Sequence, residues 1–332
     1  MVSARTARLI ATTAAYGGSG VGLLGAGLYG LLRAEAWLAR RAIGSPATVA
    51  PVADGGFGRQ AGQPLSLVIL GDSSAAGVGV EFPGETPGAL LAAGIADAAE
   101  RPVRLTVLAV TGARSTDLAG QVERALTAPP DLAVIMIGAN DVTHRVKPVT
   151  SVRLLGDAVH TFRTAGSAVV VLTCPDLGTV EPIPHPLRWL VRRASRRLAA
   201  AQTVVAVEAG ARTVSIASML GPEFAPAAGM FSPDRFHPSA AGYAAAAAAV
   251  LPTALSALGV GADEHLEVAQ GDDILPVAVA AAVAAEASGT EVAPRVAAGS
   301  DRGARSLWVL LRHRRRRPLP ERQLDADVAR SR

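Results

Sequence analysis

The sequence predicts an α/β fold in which helices cover both faces of a parallel sheet. Between residues 65 and 260, five short apolar runs alternate with five longer helical segments. Strands that alternate with helices are joined by crossovers, which bury a parallel sheet on both sides. The predicted strands are Leu65–Leu70, Val103–Val110, Leu132–Ile137, Ala168–Thr173 and Thr213–Ser218, and the predicted helices are Thr86–Ala99, Ser115–Leu126, Ser151–Thr164, Leu187–Glu208 and Ser239–Leu258.

The end of the first strand is suited to carry a nucleophile. Leu65–Leu70 is typical of a fully buried strand, and Gly71 interrupts it. Ser73 follows in a run of small residues that permits a tight turn. Because ligands bind at the carboxyl ends of strands in open α/β sheets, Ser73 is a candidate nucleophile. The alternative is that Ser73 only caps the next helix.

A serine nucleophile needs a base, and Asp234 and His237 supply a candidate pair. Their spacing of three residues lets both side chains project from one loop, where the carboxylate holds the imidazole. In such a triad His237 takes the serine proton and returns it to the leaving alcohol, while Asp234 fixes the tautomer. The alternative for Asp234 is a turn residue, because Ser-Pro precedes it.

Two more segments follow predicted strands. Gly112 comes after the second strand, and Gly138-Ala139-Asn140-Asp141 comes after the third. Together with Gly71-Asp72-Ser73 and Asp234-Arg235-Phe236-His237-Pro238, they form four blocks that resemble the SGNH hydrolase family, also called GDSL esterases and lipases. The resemblance covers roughly residues 66–258 and does not include either terminus.

The resemblance implies a flavodoxin-like three-layer sandwich with five central parallel strands. It implies a serine ester hydrolase in which Ser73, Asp234 and His237 are catalytic and an acyl-serine intermediate forms. The oxyanion hole would consist of the backbone N–H groups of Ser73 and Gly112 and the side-chain amide of Asn140. Such donors are commonly worth a factor of about 10²–10³ each. The alternative interpretation of Gly112 and of Asn140, each taken singly, is that it is an ordinary turn residue.

No metal or cofactor is expected. The sequence contains no H-E-x-x-H, no Cys/His cluster suited to zinc and no P-loop. It also contains no G-x-S-x-G, which disfavours the nucleophile elbow of an ordinary α/β-hydrolase. Residues 20–25 match G-x-G-x-x-G, but they lie inside an apolar segment and do not follow a strand. Despite a net charge of +4, the chain has no nucleic-acid-binding motif, and we expect no nucleic-acid partner.

Composition divides the chain into four parts. Residues 1–44 form a membrane anchor or signal segment, 45–64 a linker, 65–260 the catalytic domain, and 261–332 an extension that is partly disordered and has a basic tail. Leu9–Leu32 carries no charge over 24 residues, whereas a bilayer span takes about 20. A retained anchor is favoured over a cleaved signal, whose apolar core is about 7–15 residues. The further alternative is a buried helix of a soluble domain.

Two regions next to these parts are less regular. Ser288–Arg305 is linker-like, and Leu307–Arg317 runs from an apolar patch into a basic cluster. The latter predicts either an interfacial membrane segment or a solvated, disordered tail. Thr179–Trp189 is proline-rich and is a candidate wall of the acyl pocket, and the basic amphipathic pattern after it suits either an anionic lipid surface or a solvated helix face.

The predicted substrate is a small-molecule or lipid acyl ester. The anchor predicts a protein that is membrane-associated or exported to the cell envelope, with its catalytic domain outside. Two alternatives share the scaffold, an O-acetylesterase of envelope carbohydrate and an acyltransferase. A third is a non-catalytic protein that binds lipid or the envelope, against which the complete set of blocks argues.

Overall fold

The computed structural model describes residues 25–39, 41–42, 49–217, 229–260, 274–294 and 308–313 of the chain. Within these residues the strands form one mixed sheet of nine. They are β1 (Gly55–Phe57), β2 (Leu65–Gly71), β3 (Val103–Val107), β4 (Leu132–Met136), β5 (Ala168–Leu172), β6 (Arg212–Val214), β7 (Ile274–Pro276), β8 (Thr290–Pro294) and β9 (Trp308–His313). Their order across the sheet is β1-β3-β2-β4-β5-β6-β8-β9-β7.

The five predicted strands form the centre of the sheet. Strands β3, β2, β4, β5 and β6 are adjacent in this order and pair in parallel. In chain order this is 2-1-3-4-5, the order of the flavodoxin-like doubly wound fold. The prediction of a flavodoxin-like α/β sandwich is therefore confirmed.

Helices cover both faces of this sheet. They are α1 (residues 25–39), α2 (Ser73–Ala76), α3 (Pro87–Ala99), α4 (Leu118–Ala125), α5 (Ala139–Thr143), α6 (Pro148–Thr164), α7 (Leu187–Glu208), α8 (Ala240–Ala257) and α9 (Val277–Ala284). The side chains of β2 alternate between the two faces, as they must in a strand. Leu67 and Ile69 enter the core under α3 and α8, while Val68 and Leu70 enter the core under α4 and α6.

The predicted helix boundaries agree with the structure to within a few residues. Thr86 and Ser239 are N-caps of α3 and α8, because their hydroxyl oxygens accept hydrogen bonds from Ala89 N and Gly242 N. Helix α6 starts at Pro148, three residues before the predicted start. Proline is favoured in the first turn of a helix, where its missing N–H would have no acceptor.

Three expectations about the flanking segments were wrong for the residues that the structure describes. The predicted linker 45–64 contains β1, which pairs antiparallel with β3. The linker-like segment 288–305 contains β8, which pairs antiparallel with β6. Strand β9 lies in the segment expected to be a membrane segment or a solvated tail, and its Val309 and Leu311 are buried. These short strands are stable because they extend an existing sheet, a contribution that their own sequences do not reveal.

The predicted membrane anchor lies largely outside the described residues, since only residues 25–32 of Leu9–Leu32 are among them. In the described part, α8 is the one helix long and apolar enough to cross a membrane. Its Val250 and Leu251 are buried in the core shared with α3 and β2. Helix α8 is therefore a core helix of the sandwich.

Candidate active site

Strand β2 leads into Ser73 through a backbone that only glycine allows. A Cβ on Gly71 would lie 1.8 Å from the carbonyl oxygen of Met136, and φ of Gly71 is +138°. The side chain of Gln121 holds Gly71 from the other side. Its Oε1 accepts from Gly71 N at 2.8 Å, and its Nε2 donates to Gly71 O at 2.9 Å. The position from which the serine turn starts is thus fixed by both β4 and α4.

Asp72 caps the short helix that Ser73 begins. Its Oδ1 accepts from Ser74 N at 3.0 Å. Because Ser73 is the first residue of α2, its N–H has no acceptor within the helix. Burial raises the pKa of Asp72 to about 7 against the opposing effect of the Ser74 N–H, and the charge of Asp141 adds to the increase. This carboxyl supports the turn, as its capping hydrogen bond indicates.

The loop before α8 holds Asp234 and His237. It is closed by a bridge between Phe231 and Pro238 and by a hydrogen bond from Ser232 N to His237 O at 2.9 Å. Asp234 Oδ1 accepts from Ser232 Oγ at 2.7 Å and from the backbone N–H groups of Phe236 and His237 at 2.8 and 2.9 Å. The loop therefore fixes the carboxylate by its own donors.

The structure brings Ser73, His237 and Asp234 together. Asp234 Oδ2 lies 2.6 Å from His237 Nδ1, and His237 Nε2 lies 2.9 Å from Ser73 Oγ. Burial raises the pKa of Asp234, but hydrogen bonds from His237, Phe236 and Ser232 outweigh it and place the pKa below its ordinary value. Because the carboxylate stays ionised, it favours the tautomer that carries hydrogen on Nδ1. His237 Nε2 is then free to accept the hydroxyl proton of Ser73.

Two contacts that sequence reasoning missed join the serine turn to the histidine loop. Tyr243, on the first turn of α8, donates its buried hydroxyl to Val78 O at 2.7 Å. Gly79 packs so closely on the loop that a Cβ there would lie 2.5 Å from Pro238 O. One signal was present, since Tyr243 is the only large side chain between residues 240 and 249. Its place in an alanine-rich helix indicates a specific contact.

The other two predicted site residues lie on adjacent turns. The turn of Gly112 follows β3 and is drawn to the serine turn by a hydrogen bond from Val110 N to Gly71 O at 3.0 Å. Gly112 has φ of +82°, and its N–H has no acceptor among the described residues. Asn140 Nδ2 donates to Ala113 O at 3.1 Å, which ties α5 to the Gly112 turn. The structure shows no further acceptor for this amide among the residues that it describes.

Asp141 and His144 have the same spacing as Asp234 and His237 but a different arrangement. The buried Asp141 carboxylate accepts from Ser115 N, from Ser115 Oγ at 2.6 Å and from Ser151 Oγ at 3.1 Å. The exposed His144 places Nδ1 3.0 Å from Asn140 O. Asp141 therefore holds the turn before α4. His144 borders the Asn140 turn, and within the described part of the chain it hydrogen-bonds no carboxylate.

A cleft of about 430 Å³ opens beside the Gly112 turn. It is lined by that turn and by α4, including Gln121 and Arg124. Its lining is mixed, with the apolar residues Val110 and Ala113 beside the polar residues Asp117, Gln121 and Arg124. Among the described residues, no group of three His, Cys, Asp or Glu side chains is placed to hold a metal ion.

Comparison with known proteins finds similarity over most of this architecture. Residues 69–245 match the model of the GDSL-like Lipase/Acylhydrolase family. The chain is 41% identical to the GDSL-like esterase Rv1075c of Mycobacterium tuberculosis over 256 residues, which cover 73% of this chain and 81% of that protein. The segment 69–245, which matches the family model, contains all five predicted site residues.

Solved structures show weaker similarity. LAE5, an α/β hydrolase from the metagenome of Lake Arreo in Spain, is 24% identical with a TM-score of 0.46, over 59% of this chain and 95% of that one. The acetylxylan esterase Axe2 of Geobacillus stearothermophilus is 19% identical with a TM-score of 0.45, over 60% and 96%. An extracellular lipase of Streptomyces rimosus is 19% identical with a TM-score of 0.44, over 57% and 99%.

Proposed function

The chain belongs to the GDSL-like lipase/acylhydrolase family and is an ester-hydrolysing enzyme, and from this premise we propose that Ser73, His237 and Asp234 perform the hydrolysis. The observation that carries the proposal is the continuous chain of contacts from Asp234 Oδ2 through the imidazole to Ser73 Oγ, at 2.6 and 2.9 Å. Family membership also argues against the non-catalytic alternative.

In the first half of the reaction, Ser73 Oγ attacks the ester carbonyl carbon while His237 Nε2 takes the hydroxyl proton. The resulting tetrahedral intermediate carries its negative charge on the former carbonyl oxygen. It collapses as the bond to the alcohol breaks, and His237 gives the proton to the leaving alkoxide. The products of this half are the free alcohol and an acyl ester of Ser73.

In the second half, His237 removes a proton from water, and the hydroxide attacks the acyl carbon. The bond to Ser73 Oγ breaks, the proton returns to the serine, and a carboxylic acid is released. Throughout, Asp234 stabilises the imidazolium form of His237 and keeps its ring in position. The three donors on the Asp234 carboxylate oppose its protonation during these steps.

The oxyanion would be stabilised by the N–H groups of Ser73 and Gly112 and by the Asn140 amide. Three features support this role. The Ser73 N–H is the first of a helix, the Gly112 N–H has no acceptor among the described residues, and Asn140 is oriented by its bond to Ala113 O. Donors held in place before the reaction cost no reorganisation when charge develops.

The proposed substrates are acyl esters that reach the enzyme at the cell envelope. The uncharged segment Leu9–Leu32 supports attachment of the chain to a membrane. The catalytic domain is proposed to lie outside the cell. The cleft described above is lined by Gly112, one of the three proposed oxyanion donors. Its apolar and polar surfaces suit a small-molecule or lipid ester.

The proposal is tested with p-nitrophenyl esters of graded chain length and with a fluorophosphonate that forms a covalent bond to an activated serine. We expect Ser73→Ala to lower kcat by at least about 10³-fold. Peptide mapping should place the phosphonyl group on Ser73 and not on Ser74. Ser66→Ala is the matched control, because its hydroxyl binds Asp131 at the far end of β2, and it should keep its activity. Full activity of Ser73→Ala would refute the proposal.

A further inference from the structure

Helix α1 begins as an apolar helix that nothing in the described structure covers. Every residue from 25 to 31 is exposed, none is charged, and Leu28, Tyr29 and Leu31 are each about half exposed. A helix that is apolar on all sides is normally buried in a protein core or a membrane. The sequence stays uncharged from residue 31 back to Leu9. This continuity indicates that lipid, and not a protein groove, surrounds the start of α1.

The second half of α1 is fixed to the catalytic domain. Glu35 is 5% exposed, and its Oε2 accepts from Leu187 N at 2.9 Å. Helix α7 has no side-chain cap at its own N-cap residue, so Glu35 supplies one from a distance of 152 residues in sequence. Ala39, one turn later, is buried against Leu177 and Ile183. The direction in which α1 leaves the domain is therefore set by the domain itself.

The start of α7 and the end of α1 both expose large apolar side chains together with arginines. Trp37 and Leu38 on α1 and Trp189 on α7 are each more than half exposed, and Leu190 is 38% exposed. Three arginines lie over aromatic rings, as measured from the guanidinium carbon to the ring centroid: Arg33 over Tyr29 at 5.8 Å, Arg41 over Trp37 at 5.4 Å and Arg193 over Trp189 at 5.7 Å. These arginines take part in no ion pair among the described residues.

Aromatic rings with unpaired arginines are the composition that suits the headgroup region of a bilayer. Tryptophan and tyrosine accumulate at the membrane–water boundary, and basic residues next to an anionic leaflet are attracted to it. A water-soluble partner protein is less suited, because the apolar surface continues directly into the uncharged stretch of α1. Both the charge and the continuity favour an anionic bilayer.

This surface lies next to the active site. The apolar cluster around Ala39 and Ile183 also includes Phe236, whose ring meets that of His237 edge to face with centroids 4.9 Å apart. It also includes Val142 of α5, two residues after Asn140. The segment that would touch the membrane thus packs against both loops of the active site.

We propose that Trp37, Leu38, Trp189 and Leu190, with Arg33, Arg41 and Arg193, form a lipid-facing surface that seats the active-site edge of the sheet on an anionic bilayer. The enzyme then takes acyl esters that reside in the bilayer. The choice of substrate rests on the proposed ester hydrolysis, whereas the seating on the membrane does not.

The first test measures the depth of Trp189 in the full chain reconstituted into vesicles of phosphatidylcholine and phosphatidylglycerol. The chain has three tryptophans, so the variant Trp37→Phe/Trp308→Phe leaves Trp189 alone. We expect brominated phospholipid to quench its fluorescence and the emission to shift to the blue. As a control, Ala128→Trp in a chain with all three tryptophans replaced by phenylalanine puts the probe in the exposed loop before β4, at the opposite end of the strand, where no quenching is expected.

Absence of quenching at Trp189 in protein that floats with the vesicles would overturn the proposal. So would equal quenching at residue 128, because it would show no preferred orientation. If Trp189 is quenched but the parent protein hydrolyses no soluble ester, the membrane surface stands and the proposed function fails. The two proposals are thereby tested separately.

The second test compares two substrates with the variant Trp37→Ser/Leu38→Ser, whose two side chains are each about half exposed on α1. Because the exposed side chains would lose their burial in lipid, hydrolysis of an ester carried in the vesicles should fall roughly tenfold. Hydrolysis of a soluble p-nitrophenyl ester should not change. An unchanged rate on the vesicle substrate, or an equal fall on both substrates, contradicts the proposal.

Discussion

The backbone of Gly79 lies directly against His237. A Cβ on Gly79 would come within 3.1 Å of His237 Cβ and 2.5 Å of Pro238 O, and φ of Gly79 is +109°. The turn that follows Ser73 and the loop that carries His237 can therefore approach only if residue 79 has no side chain. This contact, together with the Tyr243 hydroxyl on Val78 O, sets the separation of Ser73 and His237.

We expect Gly79→Ala to lower kcat by about 10²-fold, because a shift of about 1 Å in a reacting group costs that much. The strained φ should also lower the free energy of unfolding by about 1–3 kcal/mol. Gly84→Ala is the control, since no atom lies within 4 Å of a Cβ there. Urea unfolding and hydrolysis of a soluble ester measure both effects. A Gly79→Ala enzyme with the activity of the control would contradict this account.

Asp234→Asn should lower kcat by about 10⁴-fold, because a neutral amide cannot stabilise the imidazolium and favours the wrong tautomer. Steady-state kinetics with a soluble ester measure the change. Ser232→Ala provides a graded comparison. It removes one donor from the Asp234 carboxylate and leaves the two backbone donors, so its loss should be much smaller. If the asparagine variant kept kcat within tenfold, Asp234 would not be the acid of the triad.

Asn140→Ala should lower kcat by about 10²–10³-fold and leave KM nearly unchanged, because its amide is proposed to bind the oxyanion and not the substrate ground state. His144→Ala is the matched control on the same turn. Among the described residues, the exposed His144 ring hydrogen-bonds only to Asn140 O and the Thr143 hydroxyl. A rise in KM with constant kcat would assign Asn140 to substrate binding instead.

The raised pKa of Asp72 predicts that the free energy of unfolding depends on pH. Its pKa is raised from 3.8 to about 7 in the folded protein, so between these values the folded state binds the proton and the unfolded state does not. Stability therefore falls as pH rises from about 4 to about 7 and levels off above that. Because each pKa unit corresponds to 1.36 kcal/mol, the increase from 3.8 to about 7 limits this loss of stability to about 4 kcal/mol.

Asp72→Asn should remove this fall and still cap α2, because the amide oxygen can accept from Ser74 N as the carboxylate does. Urea unfolding at about pH 4.5 and about pH 8, between which most of this transition occurs, measures the difference. We expect the variant to gain stability relative to the parent only at the higher pH. An equal difference at both pH values would show that Asp72 does not titrate in this range.

Much of the architecture could be predicted from local sequence. Hydrophobic periodicity is a local property of the chain, so the sequence predicts β2 to β6 and the helices α3, α4, α6, α7 and α8 to within a few residues. The short helix α5 was not predicted. The site residues follow strands whose carboxyl ends share one edge of the sheet. Ser73, Gly112 and Asn140 could therefore be grouped before any contact was known.

Tertiary structure alone decided what depends on contacts between distant segments. Strands β1, β8 and β9 are short and are held by pairing to neighbours, and buried Glu291 of β8 is matched by Arg212 of β6 at 2.9 Å. Glu35 caps a helix 152 residues away, and Gly79 makes room for a loop that comes more than 150 residues later. Sequence reports the local preference of each segment, whereas pairing, capping and close packing between segments arise only when the chain has folded.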